Sequence, residues 1–107
     1  LKTTTENPGI DIKGQPGSSI KSIMNGVVTT ITYIRGYGTT IIVDHGGGFY
    51  TVYSHVTNIQ TDVDSEVRAG DVIAYMGDSG SINGSKLHFE IWGKGQKLDP
   101  ELWLRKK

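Results

Sequence analysis

The chain contains no cysteine. That excludes a disulfide framework, a thiol nucleophile and a zinc site ligated by Cys. It leaves the compartment open, because cysteine-free chains occur inside and outside cells. There is no excess of charge either: 11 Lys plus Arg balance 11 Asp plus Glu. A general electrostatic grip on nucleic acid is not expected, although a local basic patch would survive that balance. No run of about 18 apolar residues occurs, so no helical membrane span is encoded. No charged-then-apolar leader opens the sequence. Sustained helical periodicity, a fixed-period repeat and a linker are also missing. Histidine is scarce, at 3 residues, so metal or acid–base chemistry has few carriers. Hydrophobic content is 36%, low for a core, but 15 glycines and plentiful threonine suit a turn-rich β domain.

At 107 residues the size prior is one domain, spanning 1–107. Opening on Leu1, the chain reads as a piece or a processed product of something longer. The apolar period is 2. Residues 26–34, rich in Val, Ile and Thr, read as a strand. Arg35-Gly36-Tyr37-Gly38 is a turn, Thr39 to Asp44 a second strand, and His45-Gly46-Gly47-Gly48 a tight glycine turn. Phe49 to Ser54 is a third strand, with Phe49, Thr51 and Tyr53 on one face and Tyr50, Val52 and Ser54 on the other. The three form an antiparallel meander. Two short apolar pieces flank Ala69-Gly70-Asp71, and 78–85 is a polar Gly/Ser-rich loop. Lys86 to Trp92 alternates again, sending Leu87, Phe89 and Ile91 one way and Lys86, His88, Glu90 and Trp92 the other. Asp99 and Pro100 cap and begin a short C-terminal helical turn over 101–104. The expectation is an all-β fold, a sandwich of antiparallel sheets or a folded β-sheet with a groove.

Taken singly, the polar candidates are ordinary. A His at a strand end, such as His55, is most often a surface or hydrogen-bonded residue, and an Asp after Gly-Ile, such as Asp11, is usually a turn residue. The ordered set is less ordinary. Asn7-x-x-x-Asp11, Gly26-Val27-Val28, Gly36-Tyr37-Gly38, Tyr53-Ser54-His55, residues 67–73 and Lys86-Leu87-His88-Phe89-Glu90 occur in turn. Together they resemble the LytM-type domain of the M23 zinc metallopeptidases, the lysostaphin-like enzymes that cut peptide cross-links of peptidoglycan. The resemblance covers about Asn7 to Leu104.

That resemblance implies a site of four His and one Asp. The first His of His-x-x-x-Asp, the Asp and the last His of His-x-His hold zinc, and the other two His position and deprotonate the attacking water. Here the first ligand position is Asn7, Asp11 and His88 keep the other two, His55 keeps a catalytic position, and Lys86 replaces the first His of His-x-His. The remaining His45 reads as a turn residue. A neutral amide is a poor zinc ligand, and an ammonium repels a dication. Lys86 is expected to fill the vacant metal region and pair with Asp11. No zinc and no hydrolase activity are therefore expected.

What the resemblance then implies is a degenerate LytM domain of the EnvC type, an activator of cell-wall amidases in the periplasm or cell envelope. Such a domain ends a longer exported chain. Its partner is an N-acetylmuramoyl-L-alanine amidase or another cell-wall hydrolase, with peptidoglycan as a further ligand. The expected partner groove has Asn7, Asp11, Tyr53, His55, Lys86 and His88 on its floor. Arg35 and Tyr37 form one wall, and 78–85 an adjustable one. Three other readings compete. One is a zinc endopeptidase with atypical ligands. Another is a peptidoglycan-binding domain that activates nothing. The third is a biotinyl or lipoyl carrier, suggested by residues 66–73 but lacking a lysine in the required hairpin tip.

Overall fold

Short glycine turns cut the β-branched runs into strands whose side chains alternate between two faces. The computed structural model describes residues 9–77 and 84–99. Ten strands run in chain order: β1 (Ile10–Lys13), β2 (Ser19–Lys21), β3 (Gly26–Ile34), β4 (Gly38–Gly46), β5 (Phe49–Ser54), β6 (Val56–Thr57), β7 (Glu66–Val67), β8 (Val72–Met76), β9 (Lys86–Gly93) and β10 (Gln96–Leu98), all counted among the described residues. Seven make a large antiparallel sheet in the order β1-β9-β5-β4-β3-β7, with β10 also on β9. The other three make a small sheet in the order β2-β8-β6.

The core draws on both sheets. Val28, Ile41, Val43, Tyr53, Leu87, Phe89 and Ile91 of the large sheet cluster with Ile20, Val56, Ile73, Ala74 and Met76 of the small one. The meander is as expected, and β3 and β5 match their expected limits. The second strand is longer than expected, running Gly38–Gly46. His45 is therefore not in the turn. It lies in β4 at an irregularity between Asp44 and Gly46. Its Nδ1 donates to the Asn25 carbonyl at 2.7 Å, and its Nε2 is 2.7 Å from Thr51 Oγ1. The apolar pieces around Ala69-Gly70-Asp71 part company: β7 joins the large sheet and β8 the small one. The helical turn expected after Asp99 lies outside the described residues.

Gly26 is held to glycine by packing rather than by a turn. A Cβ there would lie 2.6 Å from the Asp44 carbonyl oxygen, 2.8 Å from His45 Nδ1 and 2.8 Å from Val43 Cγ1. The first of these is backbone and cannot swing aside, so a side chain would push β3 off β4. Gly26→Ala is expected to destabilise the chain by about 1–3 kcal/mol, as overpacking does. Denaturant unfolding measures it, and a loss under about 0.5 kcal/mol would contradict the packing argument.

Candidate functional site

Strand β9 places four polar or amphipathic side chains in a row on the face turned away from the core: Lys86, His88, Glu90 and Trp92. Strand β1 pairs antiparallel with its first half, setting Asp11 directly opposite His88. From there the Asp11 carboxylate reaches two cations. His88 Nδ1 donates to Asp11 Oδ1 at 2.6 Å, and Lys86 Nζ donates to Asp11 Oδ2 at 3.3 Å. On the far side of the ring, His88 Nε2 donates to Glu90 Oε2 at 2.9 Å. Glu90 is held in turn by Trp92 Nε1, which donates to Oε1 at 2.8 Å, and by Lys97 Nζ at 3.8 Å. The result is a ladder of alternating charge along one strand face.

With a carboxylate at each ring nitrogen, both nitrogens are placed to donate, which favours the imidazolium form of His88. Burial works against that charge, but the bonds and charges of Glu90 and Asp11 outweigh it and raise the His88 pKa above its ordinary value. Burial would likewise raise both carboxyls, yet His88 with Lys86 holds Asp11 below the usual range. His88 with Trp92 and Lys97 does the same for Glu90.

Gly9 seats the entry to β1. At φ 107° it lies so close over β9 that a Cβ would be 2.5 Å from the Phe89 carbonyl oxygen and 2.7 Å from Glu90 Cγ. His55 follows β5 with φ 64°, a left-handed conformation uncommon outside glycine. Two backbone bonds hold it: its N–H donates to the Tyr37 carbonyl at 2.8 Å, and its carbonyl accepts from Gly77 at 3.3 Å. The Tyr37 ring bridges the two histidines, with centroids 5.1 Å from His88 and 6.4 Å from His55.

The fold thus gathers Asp11, Tyr37, His55, Lys86 and His88. Tyr53 does not join them. The strand period turns it with Thr51 into the core, where it is 1% exposed and its ring lies 5.4 Å from that of Phe89, tilted by 48°. Its hydroxyl lies 2.9 Å from Thr51 Oγ1 and accepts from the Ile23 N–H at 3.2 Å. Arg35 is exposed in the β3–β4 turn and no bond ties it to the cluster among the described residues. Asn7 and residues 78–83 of the expected loop wall lie outside the described residues.

Beside the ladder is a groove of about 660 Å³ on the outer face of the large sheet. Ile42, Tyr50, Val52 and Trp92 give it an apolar floor, Tyr37 borders it, and Glu90 belongs to both groove and ladder. Glu90 and Trp92 were missed as site residues. Their signal was present: they stand two and four positions beyond His88 on the same strand face. A catalytic zinc needs three protein lone pairs aimed at one point, with a fourth position open. Here both His88 nitrogens are turned to carboxylates and an ammonium sits on Asp11. Among the described residues this donor set does not fit such an ion.

The model of peptidase family M23 matches residues 5–100. Outer membrane antigenic lipoprotein B of Haemophilus influenzae is 43% identical over 99 residues, 92% of this chain and 24% of that protein. Murein hydrolase activator EnvC of Escherichia coli is 36% identical over 96 residues, 90% of this chain and 23% of that protein. The chain thus spans about a quarter of the length of these curated relatives. Among solved structures, the catalytic domain of the antimicrobial peptidase lysostaphin from Staphylococcus simulans superposes with a TM-score of 0.84 at 24% identity. That match covers 92% of this chain and 79% of the other, and it is a likeness of fold.

The ladder has a pH signature. The two carboxyls, lowered from 3.8 and 4.5, contribute stability above those values and lose it as pH falls through their folded values. His88, raised from 6.5, contributes below that value and loses it as pH rises through its folded value. Unfolding free energy is therefore expected to be greatest between 4.5 and 6.5 and to decline above. His88→Gln should flatten the alkaline decline. Denaturant titrations across pH test this, and an equal alkaline slope in both proteins would sink it.

Proposed function

Since the chain belongs to peptidase family M23, we propose that it is a regulatory member, a module that binds and activates a cell-wall hydrolase without cutting the wall itself. The carrying observation is the Lys86–Asp11–His88–Glu90 ladder, in which side chains at metal-binding positions of the family bind one another. No zinc is part of this function. The names of the relatives, an activator of murein hydrolases and an outer membrane lipoprotein, support a regulatory role in the cell envelope. The partner is an N-acetylmuramoyl-L-alanine amidase, and the chain is one module of a longer exported protein.

Contact with the hydrolase runs over the face that holds Asp11, Arg35, Tyr37, His55, Lys86 and His88, extended by Glu90 and Trp92 into the apolar groove; Asn7, outside the described residues, is proposed to contribute as well. Such a surface recognises a partner by shape and a few fixed polar anchors, the apolar floor supplying most of the affinity. The ladder fixes those anchors before the partner arrives, which lowers the ordering cost of binding.

The test combines the purified chain, a cell-wall amidase of the same organism and isolated peptidoglycan. The chain should raise amidase product release and release nothing alone. Lys86→Asp sets a second carboxylate beside Asp11 and should cut activation by about tenfold or more; it also lowers the unfolding midpoint, so activation is compared at a temperature where the variant is folded. Stoichiometric zinc retained after dialysis, together with peptide cleavage by the chain alone, would instead establish an endopeptidase. Unaltered activation by Lys86→Asp would remove the ladder from the contact surface.

A further inference from the structure

The open edge of β3 is built to pair with a copy of itself. On one side β3 is bonded to β4 along most of its length. On the other, β7 pairs only with Gly26 and Val27. The loop before β7 then takes the main chain of Val28, whose N–H donates to Ser65 at 2.9 Å and whose carbonyl accepts from Asp64 at 2.7 Å. Beyond Thr29 no strand lies on that side among the described residues. Thr30 to Ile34 therefore presents a bare edge, and alternate residues of an edge strand direct N–H and C=O groups outward.

Edges of this kind are normally guarded by charge or proline. From Gly26 to Ile34 there is neither. The bulge between Val28 and Thr30 and the loop at Asp64 protect only the beginning of the strand. The exposed part carries large apolar groups: Tyr33 is 65% exposed and Ile34 38%.

We propose that two copies of this chain associate through antiparallel β3–β3 pairing about a two-fold axis at Thr32. That register makes the strand complementary to itself. Thr32 faces Thr32 of the second copy, Ile31 faces Tyr33 and Thr30 faces Ile34. Thr–Thr and aromatic–β-branched pairs are among the favoured cross-strand combinations. Ile31 already leans on the core, so each copy's Tyr33 gains an anchored aliphatic neighbour. Charge permits the approach. The chain is formally neutral, and the flanking Arg35 faces Thr29. The two Arg35 residues stand six strand positions apart, about 20 Å at the rise of a strand. That is well beyond the screening length of about 8 Å in physiological salt. Pairing ends at Thr29, where the Asp64–Ser65 loop closes the edge. The two seven-stranded sheets then become one continuous sheet, and the two copies are related by the isologous contact usual for dimers. The ladder lies on β1 and β9, but Thr30 and Ile34 of the pairing edge also line the groove beside it, so the two surfaces adjoin, and the association is read on the chain alone, without hydrolase.

Sedimentation velocity over a concentration series tests the pairing. The mass of the wild-type chain should rise from 11.6 kDa towards about twice that value. Thr32→Lys places two ammonium groups face to face on the axis and should hold the mass at the monomer value throughout. Thr32→Val should still associate. Amide exchange of the wild-type protein gives a reading that needs no variant: protection along Ile31 to Tyr33 should grow with concentration. A wild-type chain that stays monomeric up to its solubility limit overturns the proposal. So does a folded Thr32→Lys chain that associates like wild type, or exchange along that stretch that does not depend on concentration.

Discussion

Strand β9 must serve two environments at once, and the architecture follows from how it does so. Its odd-numbered side chains, Leu87, Phe89 and Ile91, enter the core between the sheets. Its even-numbered ones, Lys86, His88, Glu90 and Trp92, share the opposite face. A slip of one residue in pairing would turn a lysine, a histidine and a glutamate into the apolar core and three core side chains out of it. Pairing with β5 on one side and with β1 and β10 on the other leaves little room for that slip. The register of the strand thus sets both the core and the site.

On the polar face the same register determines the electrostatics. Asp11 stands opposite His88, and Glu90 two positions along, so the imidazole meets a carboxylate at each nitrogen. Pulling these groups partly out of water is unfavourable one at a time. The penalty is offset because each charge has an opposite one within bonding distance. Lys86 and Lys97 close the two ends. Removing one partner leaves another charge partly buried and unpaired, so these side chains act as a unit. Scaffold and chemistry are separable here, as they commonly are. The fold that carries the lysostaphin catalytic domain carries in this chain a ladder of ion pairs beside an apolar groove.

Much of this was legible from residue pattern. The β3–β4–β5 meander is announced by β-branched runs separated by glycine turns, and the two faces of β9 by strict alternation. The pairing of Lys86 with Asp11 was expected from their family positions. Strands β1, β2, β6, β7 and β10 were not legible as paired strands. At two to four residues each they are too short to display a period, and neighbouring strands recruit them. Tyr53 was expected in the groove because of its place beside His55. The alternation that puts Tyr50 and Val52 outward sends Tyr53 inward, and strand geometry prevails over nearness in sequence. Glu90 was overlooked because, within Lys86-Leu87-His88-Phe89-Glu90, the resemblance assigns it no role; it matters here through its bond to His88.

Composition and order alone determined that the chain is a β domain without thiol chemistry, and which residue types stand at 7, 11, 86 and 88: Asn, Asp, Lys and His. Those are properties of residue identity, and no folding can change them. What the side chains do with one another was decided by tertiary structure. Asp11 and His88 are far apart in the chain and meet only because β1 lies antiparallel to β9. Whether His88 is a neutral ligand or a charged donor depends on two carboxylates that three-dimensional pairing brings to its ring. The bare edge of β3 has the same origin. Its sequence favours a strand, but exposure arises because β7 and its loop stop short of Thr30.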